Sequence, residues 1–131
     1  MLLDRSGQII AFQGEANRQD IMTLGALLAG SFASSREVAK LLIERDFKET
    51  VQLGTRTNIF TSQIGDGQWI LVILFDKQVN LGLIKVLSKR TSSEMQAILE
   101  RVKVESRARD SLINNQFRDS FVDTIDLLFK D

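Results

Sequence analysis

Two carboxylates, Asp66 and Asp76, stand near the ends of extended segments, where catalytic acids often stand. Acid/base work would need a second group held at the same bond. Asp66 lies between Gly65 and Gly67, and Asp76 is followed by Lys77, so both read more simply as turn residues. The spacing brings no partner carboxylate to either. Gly65-Asp66-Gly67 is not a phosphate cradle, because no Gly-x-x-x-x-Gly-Lys-Ser/Thr motif follows a strand. The chain has no Cys, no His and no Tyr. Ser-His-Asp and Cys-His hydrolases are therefore excluded, along with thiolate zinc cages. The expectation is a chain without cofactor or metal, a binding module rather than an enzyme.

Charge narrows the partners. Lys and Arg number 17 and so do Asp and Glu, so nothing draws the chain toward nucleic acid or an anionic membrane. Lys85, Lys89, Arg90, Arg101 and Lys103 form a modest basic stretch, either a solvated face or a contact for an acidic partner. Asp4 and Arg5 interrupt any signal-peptide core. The longest apolar run, Trp69 to Phe75, is far short of the ~20 residues of a membrane helix. No membrane insertion and a cytoplasmic location are expected, with 131 residues making one domain.

The residues with something to do are small or apolar. Between Arg18 and Arg45 the pattern is helical, with Asn17 as a cap and Ile21, Leu24, Leu28, Ser35, Val38 and Leu42 on one stripe. Ala26, Ala29, Gly30 and Ala33 cluster on the opposite face, followed by Glu37 and Lys40. Small residues are tolerated on any exposed helix. Four in one narrow arc favour a docking face, since small side chains let another backbone approach. At the other end of the chain, Phe117, Phe121 and Ile125 step by four, and Leu128 and Phe129 follow three and four residues after Ile125. That stripe either covers a sheet or is a tethered recognition helix.

These segments sit among strands. Leu2-Leu3, an Asp4-Arg5-Ser6-Gly7 turn and Gln8 to Phe12 form an opening hairpin. Thr50 to Leu53 and Asn58 to Ile64 read as extended, Gly65-Asp66-Gly67 as a hairpin turn, and Trp69 to Phe75 as a buried central strand. Leu81 to Leu87 reads as a further apolar strand. Thr91 to Glu94 has capping-box spacing, opening a helix whose buried stripe is Met95, Ile98, Leu99 and Val102. Glu105 to Arg118 is polar, a helix extension or a linker. The sum is an α/β (α+β) sandwich around an antiparallel sheet.

Several of these segments carry a resemblance. Leu3 to Ala11, Leu27-Leu28-Ala29-Gly30 with Val38 to Leu42, Leu71 to Asp76, and Asn80 to Lys85 together resemble the Roadblock/dynein light chain family. The tail Asp123 to Phe129 is similar to the end of its bacterial MglB branch. The resemblance implies a five-stranded antiparallel sheet with a long helix on one face and a C-terminal helix on the other, the family's first helix having no counterpart ahead of the first strand. It divides the chain into a Roadblock domain over 1–104, a linker or helix extension over 105–120 and a C-terminal amphipathic helix over 121–131. It implies a homodimer whose strands pair across a two-fold axis, here at Asn58, Ile59, Phe60, Thr61 and Ser62. It implies a partner as well, a small Ras-like GTPase of the MglA type, whose hydrolysis such proteins activate without donating an arginine finger, in setting cell polarity for gliding motility. A Roadblock adaptor that scaffolds a GTPase or motor complex without activating it is the alternative. The contacts it implies are Ala29, Gly30, Ala33, Ser34 and Glu37 on the long helix, with Phe121, Ile125, Leu128 and Phe129 in the tail. Glu37 departs from the small residue that the branch can carry there, which asks for a basic spot on the partner.

Overall fold

The computed structural model describes residues 1–128, with the backbone alone at 121, 125 and 128. Seven elements follow one another: β1 (Leu2–Asp4), β2 (Ile9–Ala11), α1 (Arg18–Leu41), β3 (Glu49–Leu53), β4 (Thr57–Ile64), β5 (Trp69–Asp76) and α2 (Leu81–Leu128). The strands form one antiparallel sheet in the order β2-β1-β5-β4-β3. Two compact units share the chain, residues 1–95 and residues 96–131.

Alternation along β4 and β5 sorts side chains to the two faces of the sheet. On one face Leu3, Ile70 and Val72 pack with Leu28 and Phe32 of α1. On the other, Phe60 and Phe75 pack with Ile84 of α2. Each large side chain buried this way contributes roughly 1.5–3 kcal/mol. The register Phe60↔Ile73 and Thr61↔Val72 keeps the two sets apart.

Leu81 to Leu87 is helical, not a strand. A short apolar run cannot be assigned by hydrophobicity alone. The deciding residue is Asn80, whose side-chain oxygen accepts from the Gly82 N–H at 2.7 Å and whose carbonyl accepts from the Ile84 N–H. That is an N-cap. Ile84 and Ser88 then turn inward, buried at one-turn spacing. With no proline in the chain, nothing stops the helix at Thr91. The capping-box residues therefore lie inside α2, where Arg90 and Glu94 form a one-turn ion pair at 3.5 Å. Met95 and Leu99 are half-buried, while Ile98 and Val102 are exposed. The polar stretch 105–120 is helix throughout.

β4 is an interior strand, hydrogen-bonded to β3 on one side and β5 on the other. Asn58, Phe60, Thr61 and Ser62 are buried and Ile59 half-buried within the protomer. Pairing across a two-fold axis at 58–62 is therefore corrected: those backbone groups already have partners. The free edge on that side is β3.

The hairpin turn between β1 and β2 lies against α1. The Asp4 carboxylate accepts from the Ser6 hydroxyl at 2.6 Å and from the N–H groups of Ser6 and Gln8 at 3.0 Å. Gly7 follows at φ +90°, and a Cβ there would meet the Ala26 Cα at 2.8 Å. Gly25 answers from the helix, where a Cβ would meet Leu3 at 3.1 Å and the Gly7 carbonyl at 3.2 Å. Arg5 Nε donates to the Gly67 carbonyl at 2.8 Å, joining this turn to the one between β4 and β5.

Gly7→Ala combines a left-handed backbone with a backbone clash, so a loss of about 2–3 kcal/mol is expected, read as a lowered urea midpoint. Acid adds a second expectation. The Ser6 hydroxyl first, then the backbone N–H groups, hold the Asp4 carboxyl below its ordinary range. Its contribution is complete above the unfolded carboxyl's pKa of about 4 and disappears as pH falls through the lower folded value. The stability gap between the wild type and Asp4→Asn should narrow as urea titrations move down through that window.

Candidate functional site

The candidate site is the outward side of α1, and the sheet contact decides which side that is. Asn17 caps the helix, its side-chain oxygen accepting from the Gln19 N–H at 3.0 Å, and Asp20 complements the first turn. Ile21, Gly25, Leu28, Ala29, Phe32 and Ala39 are the buried residues of the helix. The buried stripe is thus rotated from the sequence reading. Val38 and Leu42, expected inside, are 47% and 62% exposed. Ala29, expected among the partner contacts, is 4% exposed and belongs to the core. The reason is local. Glycine at 25 lets the helix backbone come close to the hairpin, and Phe32 rather than Ser35 supplies the bulk facing the sheet.

What remains outside is apolar as well. Met22, Leu27 and Leu41 are 58%, 68% and 84% exposed. Gly30, Ala33, Ser34 and Glu37 are exposed between them. A helix that is apolar on both sides is normally covered on both. A Cβ at Gly30 would meet nothing within 4 Å, so nothing among the described residues requires glycine there. The Ser34 hydroxyl donates to the Gly30 carbonyl at 3.1 Å. Glu37 pairs with Lys40 at 3.0 Å on the exposed face, leaving only a small net field.

A second feature borders the helix. Ser6, Gln8, Phe12, Arg18, Met22 and Ala26 line a mostly apolar cleft of about 840 Å³ between the first hairpin and α1. It leaves no signal in the sequence, because it depends on how closely the hairpin and helix approach. Catalytic groups do not gather in or near it. Among the described residues no cluster of three or more metal-ligating acidic side chains occurs. Asp66 and Asp76 are spent locally, accepting from the Gln68 and Gln78 N–H groups.

The C-terminal end of α1 is strained. The Glu44 N–H donates to the Ala39 carbonyl at 2.9 Å and the Ile43 N–H to Lys40 at 3.2 Å. This is the Schellman pattern, whose left-handed residue is usually glycine. Here it is Ile43, at φ 59° and 95% exposed. The tail residues of the sequence reading cannot be placed on any face. Phe129 lies outside the described residues, as do the side chains of Phe121, Ile125 and Leu128.

Comparison with known proteins follows this geometry. No family model matches the chain. Myxococcus xanthus MglB is 31% identical, with 76% of this chain aligned to 80% of that one at a TM-score of 0.71. A Roadblock/LC7 domain from Streptomyces avermitilis superposes at 0.69 over 76% and 82% of the two chains, with 18% identity, a likeness of fold alone. In sequence, the Methanocaldococcus jannaschii protein MJ0714 is 29% identical over 98 residues, 75% of this chain and 80% of its own. The chain belongs to the Roadblock family. Its particular likeness is to MglB, in sheet order, long central helix and sequence together. No helix among the described residues is long and apolar enough to cross a membrane.

Relieving the helix end should be visible. Ile43→Gly is expected to raise thermal stability by about 1 kcal/mol, because a β-branched residue leaves the left-handed region. Calorimetry of the two proteins checks it.

Proposed function

We propose that this chain is a homodimeric regulator of a small Ras-like GTPase of the MglA type, and that it activates hydrolysis on that partner. The reading rests above all on the doubly apolar α1: one side builds the core, and on the other a Cβ at Gly30 would meet no atom of the described residues within 4 Å. Gly30, Ala33, Ser34 and Glu37 are the proposed contacts, with Ala29 withdrawn to the core. The tail positions Phe121, Ile125, Leu128 and Phe129 are proposed as a second grip on the same partner.

The dimer is proposed at β3. Its outer edge is unpaired among the described residues, and an unpaired edge is a template for a second strand. Two copies joined there would continue the sheet and bring two α1 helices to one side. Composition agrees with a regulator that contributes no chemistry of its own. Without His or Cys the chain supplies neither a general base of the usual kind nor a thiolate. The partner's own catalytic groups would do the work, positioned by contact with the ridge.

The test measures GTP turnover by an MglA-type GTPase with and without this protein in excess. Acceleration is expected. Binding with unchanged turnover would sink activation and favour a scaffolding adaptor instead. Two substitutions localise the contact. Ala33→Arg is expected to weaken binding at least about tenfold while sedimentation of the free protein stays unchanged. Gly30→Ala separates folding from docking: the free protein gains about 1 kcal/mol from helix propensity while GTPase affinity falls. A gain in both would remove the ridge from the interface.

A further inference from the structure

We propose that α2 pairs with the α2 of a second copy through the face that carries Val102 and Ile113, the two helices antiparallel and crossing near Ile113. This goes beyond the GTPase reading and does not rest on it. Ile98, Val102, Leu112 and Ile113 are each more than half exposed. Val102 and Ile113 are three turns apart, so they share a face, and Ser106 and Ser120 lie on that face two turns either side of Ile113. Val102, Ser106, Ile113 and Ser120 thus make an open strip of apolar and small residues, with Ile98 and Leu112 off to its side, the kind of face that a second helix covers.

Charge identifies the occupant. Between 101 and 109 the segment carries Arg101, Lys103, Arg107 and Arg109 against one acid, Glu105. Between 110 and 126 the balance reverses, with four aspartates against Arg118. Among the described residues none of these charges enters an ion pair within the chain. Two such helices side by side in parallel set basic against basic and acidic against acidic. Turned antiparallel, each basic half lies along the acidic half of the other. That arrangement is two-fold symmetric, as a pair of identical subunits requires. A second copy is thus the partner whose charge is reversed at the same spacing along the same strip.

The absence of cysteine makes the test direct in the full-length protein. Ile113→Cys should form a disulfide with itself across two copies under mild oxidation. Ser106→Cys mixed with Ser120→Cys should cross-link at least about tenfold faster than either variant alone, since association raises the local thiol concentration. The triple reversal R101E/K103E/R107E in the Ile113→Cys background should suppress the cross-link. Mixing it with D119K/D123K/D126K in the same background should restore it. Self-cross-linking of Ser106→Cys and Ser120→Cys at the rate of their mixture would mean a parallel pair and overturn the proposal. So would absence of every cross-link, including a case in which Ile113→Cys is shielded from labelling only when a GTPase is added, which would give this face to the GTPase.

Discussion

The close crossing of the first hairpin over α1 sets the rest of the molecule. Gly7 and Gly25 meet with no side chain between them, and neither position has room for a methyl group without a shift. Close backbone contact of this kind fixes the rotation of a helix about its own axis more tightly than apolar side chains alone, which can repack. Once Gly25 faces the hairpin, Leu28, Ala29 and Phe32 must face the sheet. Gly30, Ala33 and Ser34 must then face away. The proposed docking ridge is a consequence of where the helix backbone touches the turn.

The sheet distributes the remaining roles by position. β5 is central and pairs on both sides, which suits its continuous apolar sequence. β4 is enclosed in the same way, and its polar residues Asn58, Thr61 and Ser62 are buried within the protomer. The edges differ. β2 has three residues and an irregular register with β1, both of which blunt an edge. β3 is longer and regular along β4. An added strand is therefore better received at β3 than at β2.

Much of this is legible in the sequence. Asn17 as a cap, the Gly65-Asp66-Gly67 turn and the extended runs 58–64 and 69–75 depend on neighbours in the chain, and all stand where the sequence placed them. What failed depended on distant neighbours. Ala29 and Phe32 lie within one turn of each other, and only the hairpin decides which direction is inward. Leu81 to Leu87 has strand composition, yet Asn80 caps a helix there, and Ile84 finds Phe60 and Phe75 waiting on the sheet. The pairing at Asn58–Ser62 is implied by the resemblance and not by these residues, and in this sheet the edge is β3, since an edge strand and an interior strand differ only in what lies beside them. Ile43 in a left-handed conformation gave no signal because glycine was the residue to look for.

The hydroxyl of Ser34 shares the Gly30 carbonyl with the helix's own hydrogen-bond ladder. Such sharing weakens the ladder and bends a helix locally, and glycine adds no side chain to resist it. The same turn carries Phe32, which is held in the core, so its inner edge is packed while its outer edge has no side chain at Gly30. Thr23 shares the Gln19 carbonyl in the same way, so the outer rim of α1 is loosened at two places along its length, one of them inside the proposed ridge, while its inner rim stays packed.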